Sequence, residues 1–305
     1  MMPTAVTRLP VFGDAGLHEI AVFTDGHKMS HRRVLCLPGI LETREGFRGL
    51  IQQALETRIF TFDFAGRGDS DYLQGSSSYR MSGCLRDACS AYSYVLGGTV
   101  FADDSPATQT RQPREAGSSD EPYVHLVGNS MGGLIGIFLA GQRPTGLSSV
   151  VINDVSCLLP WASLFTLFGA LSGFSFASSV PQRLSGGSRP LAETLNVDKK
   201  LIPAILQPAY LDLPHVREIS GLSFLEAFRA VDVPVLVLYS ADSPIFTAAA
   251  RKAMNYLPST YSFMEVEGNT HPVAYSEEVT GAILQFMETA ETSGKPAFGR
   301  KISVM

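Results

Sequence analysis

The strongest constraint on the fold is a rhythm: short apolar runs that end in turns alternate with segments of helical periodicity. Residues 33–39 (RVLCLPG), 58–66 (RIFTFDFAG), 123–130 (YVHLVGNS), 148–156 (SSVVINDVS) and 233–242 (VPVLVLYSAD) have the length and composition of buried strands. Helical segments lie between them. Residues 45–56 (EGFRGLIQQALE) place Phe47, Leu50, Ile51 and Leu55 on one face, and residues 81–97, 131–141 and 276–289 follow the same logic. Strands that read as continuous apolar runs are covered on both faces. The expectation is therefore an α/β fold with a mostly parallel central sheet flanked by helices. Residues 5–26 read as a hairpin that adds antiparallel strands at one edge.

Two stretches break the rhythm. Residues 97–122 are polar and rich in Pro, Gly, Ser and Thr, as expected of a flexible surface insertion. Residues 155–230 follow the strand after the 131–141 helix. They are expected to form a helical cap above the carboxyl ends of the strands, where such sheets bind ligands. The core domain would then comprise residues 1–154 and 231–305. Within the cap, residues 155–182 carry no charge and are long enough to span a bilayer. Pro160, Gly169 and Gly173 interrupt that run, and a crossing there would separate the candidate site residues on its two sides. It reads instead as a buried or substrate-facing cap, with Trp161, Phe165 and Phe168 as expected pocket residues. Its apolar surface also admits peripheral contact with a membrane.

Composition removes several function classes. The formal net charge is −5 and no Lys/Arg cluster is present, which speaks against a nucleic-acid partner. Four scattered cysteines form no CxxC pair and are expected to be free thiols rather than metal ligands. A cytoplasmic location is expected from this cysteine pattern and from residues 1–16, which lack an apolar signal core. Oligomeric state is not legible.

The chemistry centres on LVGNSMGGLIG, residues 126–136, in which Ser130 stands between glycines. GNSMG fits G-x-S-x-G, and it follows an apolar run and precedes a helix. That context turns a common five-residue pattern into a nucleophile elbow, with the helix N-terminus directed at an oxyanion forming beside Ser130. The bland alternative is a tight turn between a buried strand and a helix. A serine nucleophile needs a base, and the base needs an orienting acid, in the chain order Ser, acid, His. Of the six histidines, His271 alone lies beyond the last long strand and before the last helix. Two acids compete. Asp242 follows an apolar strand in a turn sequence that would expose its carboxylate, and it is favoured; Asp154, at the end of VVIND, is the alternative acid.

Taken together, these residues resemble the α/β-hydrolase superfamily with a cap domain, over about residues 34–288 apart from the two insertions. FDFAGRGDSD (residues 62–71) is similar to the D-x-x-G-x-G-x-S turn after the family's third strand, LVGNSMGG to its nucleophile elbow, and EGNTHP to its histidine loop. The family usually has His-Gly where this chain reads VLCLPGILET, and Pro38 stands in place of that histidine. By position, the resemblance implies an oxyanion hole built from the amides of Ile40 and Met131.

What the resemblance implies is acyl transfer to water: a serine hydrolase acting on a carboxylic ester, thioester or lactone of a hydrophobic small molecule, needing no metal or cofactor. C–C bond hydrolases, cofactor-free haloperoxidases and non-catalytic ligand-binding members share the fold and remain alternatives. Ser130 at the elbow excludes an aspartate-nucleophile enzyme.

Overall fold

A computed structural model describes residues 5–14, 16–27, 30–97, 123–176, 195–293 and 302–303. The expected polar insertion falls almost wholly outside the described residues. The strands are β1 (Ala5–Gly13), β2 (Gly16–Gly26), β3 (Arg32–Leu37), β4 (Arg58–Phe62), β5 (Tyr123–Asn129), β6 (Leu147–Asn153), β7 (Leu158–Pro160), β8 (Val216–Arg217), β9 (Gly221–Ser223), β10 (Val235–Ser240), β11 (Tyr261–Val266) and β12 (Ile302–Ser303). The helices are α1 (Arg48–Gln53), α2 (Met81–Leu96), α3 (Met131–Gly141), α4 (Trp161–Phe176), α5 (Leu201–Ile205), α6 (Leu225–Arg229), α7 (Ala248–Met254) and α8 (Glu277–Ser293).

Nine strands form one sheet in the order β1-β2-β4-β3-β5-β6-β10-β11-β12. The β1–β2 hairpin and its pairing with β4 are antiparallel; every other pairing is parallel. The two faces bury separate cores. On one face, α2 and α3 pack through Met81, Ala88, Leu134 and Ile137 against Leu35, Leu126 and Val150. On the other, Phe47 at the start of α1, Leu50 of α1 and Ile283 and Phe286 of α8 pack against Val34, Val127 and Leu236. Adjacent strand positions feed opposite cores, as the period of two requires. This explains why the central strands read as unbroken apolar runs.

The region between β6 and β10 is inserted, and it is not wholly helical. Beside α4, α5 and α6 it carries a small antiparallel sheet in the order β7-β9-β8. These strands are two or three residues long, too short to leave a periodic signature. Leu55 also departs from expectation: α1 ends at Gln53, so Leu55 lies beyond the helical face and is 66% exposed. No described helix is long and apolar enough to cross a membrane; α4, inside the uncharged stretch, has 16 residues.

The last helix is tied to the sheet by Glu291. Its carboxylate accepts from Arg32 Nε at 2.6 Å and Nη2 at 2.9 Å, and lies 2.9 Å from Nε2 of the buried His125 on β5. Burial alone would raise this carboxyl, but Arg32 and His125 outweigh it and bring the pKa down to about 2. A carboxyl depressed by folding stabilises the protein above its ordinary value of 4.5, and that contribution is lost as pH falls toward about 2. Glu291→Gln is expected to lower stability by about 1.5–3 kcal/mol at pH 7. Urea titrations should show the gap from wild type narrowing below pH 4.5. A pH-independent gap would assign the loss to packing.

Candidate active site

The site begins with the sharp turn from β5 to α3. Ser130 adopts φ 48°, ψ −115°, a strained positive-φ conformation that a non-glycine residue takes only when its surroundings hold it there. The flanking glycines are required by contact rather than flexibility. A Cβ on Gly128 would lie 2.5 Å from the Gly132 carbonyl carbon, and one on Gly132 would lie 2.0 Å from the Leu37 oxygen. The turn is fixed to the next strand by Ser130 N–H, which donates to Asn153 O at 2.8 Å.

His271 reaches this turn from the loop after β11. Its Nε2 lies 2.9 Å from Ser130 Oγ, and its Nδ1 lies 2.7 Å from Asp154 Oδ2. The Asp154 carboxylate only accepts, so Nδ1 carries the proton and Nε2 is left to accept from the serine hydroxyl. Asp154 is fully buried, while the His271 side chain is 26% exposed and open to a substrate. Ser243 Oγ donates to the same Asp154 oxygen at 2.8 Å.

The acid that meets His271 is thus Asp154, and the expectation favouring Asp242 is corrected. Asp242 is solvent-exposed, and its backbone N–H donates to Gly268 O at 3.0 Å. The reason lies in the sheet. β6 is the immediate neighbour of β5, with Asn129 paired to Asn153, so the next residues on each strand, Ser130 and Asp154, emerge side by side. Asp154 has φ 58° and its N–H donates to Leu238 O of β10 at 2.8 Å, which holds the turn on the edge of the sheet. The loop after β10 presents Ser243, not Asp242, to this point.

Asn153 was not singled out from sequence, yet it docks the histidine loop. Its Nδ2 donates to Val273 O and its Oδ1 accepts from Val273 N, both at 2.9 Å. Asn153 is fully buried, and a buried amide between two strand ends leaves no periodic signal.

A cavity of about 70 Å³ opens beside Ser130, lined by Ile40, Met131, Leu134, Val155, Leu164, Leu167, Phe168, Ile205 and Ile245 among others. Ile40, Met131 and Phe168, expected as oxyanion donors and as a pocket residue, are among its lining residues. The expected pocket residues Trp161 and Phe165 do not line it: Phe165 is 68% exposed, and Trp161 lines a neighbouring cleft of about 270 Å³. Successive residues of a helix diverge by about 100°, so α4 turns Phe165 away from its neighbour Leu164, whereas Trp161, seven residues before Phe168 and on the same side of the helix, lines the neighbouring cleft together with Leu164 and Phe168. Larger clefts elsewhere, such as one of about 420 Å³ lined by α7 and β11 residues, are distant from Ser130 in the chain and contain none of these groups.

Residues 34–281 match the sequence profile of the Alpha/beta hydrolase family. The chain belongs to that family. It is an α/β-hydrolase-type enzyme with an inserted region over the strand ends. It is similar to the 3-hydroxybutyrate-oligomer hydrolase of Cupriavidus necator, at 23% identity over 258 residues that cover 76% of this chain and 79% of that protein. Among solved structures it resembles an alpha/beta hydrolase from Novosphingobium aromaticivorans, with a TM-score of 0.64 and 20% identity, covering 93% of this chain and 98% of that one. It also resembles a thermophilic esterase from Thermogutta terrifontis, with a TM-score of 0.65 and 15% identity, covering 94% and 99%. At these identities the two structures establish the fold.

The His271 geometry makes a spectroscopic prediction. A buried Nδ1–H donated to a carboxylate gives a far-downfield proton resonance, which Asp154→Ala should abolish and Asp242→Ala should leave in place. Its survival in folded Asp154→Ala would contradict the geometry.

Proposed function

We propose that the protein is a serine hydrolase that cleaves carboxylic esters of small hydrophobic acyl groups, with Ser130 as nucleophile, His271 as general base and acid, and Asp154 as the orienting acid. The observation that carries this reading is the continuous line from Ser130 Oγ through both His271 ring nitrogens to the buried Asp154 carboxylate. That line faces an apolar cavity.

The chemistry follows from the line. As Ser130 Oγ bonds to the ester carbonyl carbon, its proton passes to His271 Nε2 and the imidazolium is stabilised by Asp154. The carbonyl electron pair moves onto oxygen, within reach of the Ile40 and Met131 amides as oxyanion donors. Collapse expels the alcohol, which takes the proton from Nε2 and leaves an acyl-serine. A water, deprotonated by the same nitrogen, then releases the acid and restores the hydroxyl. Thioesters and lactones can enter the same steps.

Cavity size supports a short acyl group. About 70 Å³ is near half of the roughly 150 Å³ that accommodates a benzene ring. The Cupriavidus relative is named for hydrolysis of 3-hydroxybutyrate oligomers, which are esters with four-carbon acyl units; such oligoesters belong in the substrate panel.

Two measurements test the reading. A fluorophosphonate should form an adduct at Ser130, and Asp154→Asn should lower turnover by about 10⁴-fold while Asp242→Asn has little effect. Absence of labelling, or a larger loss from Asp242→Asn, would overturn the assignment. Across p-nitrophenyl esters, kcat/KM should peak at a short chain and fall beyond it. Phe168 and Leu164 separate the cavity from the cleft beside Trp161, so Phe168→Ala should move the peak to longer chains. A flat profile in wild type would remove the acyl-pocket assignment.

A further inference from the structure

The loop that carries Ile40 lacks the histidine usual in this family, since position 38 is proline. Two side chains fasten this loop. The Glu42 carboxylate accepts from Gly39 N at 2.8 Å through Oε2, and the same oxygen accepts from Asn129 Nδ2 at 3.2 Å. Asn129 is fully buried and immediately precedes Ser130; its Oδ1 accepts from Tyr275 OH at 2.6 Å. One carboxylate oxygen therefore ties the residue before Ile40 to the residue before Ser130.

The other side of Ile40 is held by Arg67, from the GRG turn after β4. Its guanidinium is fully buried, and its Nε donates to Ile40 O at 2.8 Å. Nη1 donates to Ala65 O at 3.0 Å, and Nη2 to Tyr210 OH at 3.1 Å. Tyr210 OH in turn donates to Met131 Sδ at 3.3 Å. Burial disfavours the charge of Arg67, but Tyr210, Cys84 and Asp87 around it raise its proton affinity above the ordinary value, and it stays charged. A buried charge spent largely on backbone carbonyls is costly, and a carbonyl of the Ile40 loop is its shortest contact.

We propose that Glu42 and Arg67 are positioning residues that hold the Gly39–Ile40 loop at a fixed distance from Ser130. This rests on the serine-hydrolase reading above. The peptide groups on both sides of the Ile40 N–H are anchored, Pro38–Gly39 by Glu42 and Ile40–Leu41 by Arg67. Met131, the second donor, touches the same network through Tyr210. Such anchoring acts on the oxyanion, whose hydrogen bonds strengthen in the transition state, so its loss falls on kcat rather than KM.

Removal of an oxyanion donor costs about 10²–10³ in kcat, and a loosened donor should cost less. Glu42→Ala is expected to lower kcat about ten- to a hundredfold with KM within about twofold, and Glu42→Gln, which keeps an acceptor oxygen, should recover most of it. Affinity for a trifluoromethyl ketone, whose serine adduct places an oxyanion in the same position, should fall with kcat/KM and recover with Gln. Arg67→Met risks misfolding, because three buried acceptors lose their donor; Tyr210→Phe keeps the packing and should weaken ketone affinity more mildly. Hydrogen exchange of residues 38–42 provides a readout without catalysis and should quicken in Glu42→Ala. Unchanged exchange, unchanged ketone affinity, a loss confined to KM, or equal losses in Ala and Gln would each overturn the proposal. A wild-type protein that labels with no phosphonate would instead overturn the hydrolase reading, while the exchange result would still decide the role of Glu42.

Discussion

The parallel pairing of β5 with β6 is the constraint on which the site depends. Register places Asn129 opposite Asn153, so Ser130 and Asp154 leave the sheet as neighbours. Both adopt positive backbone φ, at 48° and 58°. Neither would hold such a turn alone. The strain is sustained because Ser130 N–H is bonded to Asn153 O and Asp154 N–H to Leu238 O, within a sheet buried on both faces. Asn153 then docks the histidine loop through two hydrogen bonds to Val273. Three segments far apart in the chain converge on the end of one strand.

Most polar groups around this point are buried and paired, although Asp154 Oδ1 is buried without a hydrogen-bond partner among the described residues. Ser243 supports Asp154, Tyr275 supports Asn129, and Glu42 joins Asn129 to Gly39. In a low-dielectric interior such networks stiffen one arrangement, because each alternative leaves a donor or acceptor unmet. The FDFAGRGDSD turn belongs to the same scaffold. Asp63 Oδ1 accepts from Arg44 N and Oδ2 from Asp69 N, while Ser70 Oγ accepts from Ala21 N, all at 2.8–3.0 Å. A Cβ on Gly68 would lie 2.0 Å from Asp63 Oδ2, which is why glycine stands there. This motif presents Arg67 to the Gly39–Ile40 loop.

The inserted region divides its apolar side chains by helix geometry. Leu164, Leu167 and Phe168 of α4 face the cavity at Ser130, whereas Phe165 faces solvent. An uncharged stretch in sequence thus contains both a lining and an outer surface. Exposed Phe165 beside Trp161, with ring centroids 6.4 Å apart, makes an apolar outer patch on the region that covers the site.

Sequence alone determined the alternation of strands and helices outside the inserted region, the antiparallel hairpin at the edge, the sharp turn at Ser130 and the histidine loop. Each is encoded locally, in apolar runs, glycine spacing and position relative to neighbouring elements. The choice of acid was not local. Asp154 and Asp242 both follow apolar strands, and Asp242 has the stronger turn signal. What separates them is the identity of the neighbouring strand, the positive-φ turn at Asp154, and the placing of Ser243 rather than Asp242 toward it. Glu42, Arg67 and Asn153 were silent for the same reason: the partners that tie them to the site, Asn129, Ile40, Tyr210 and Val273, lie between 27 and 143 residues away, and those contacts exist only once the sheet has brought the segments together. Local pattern sets which elements form, while hydrogen-bond partners of buried polar groups are decided by tertiary packing.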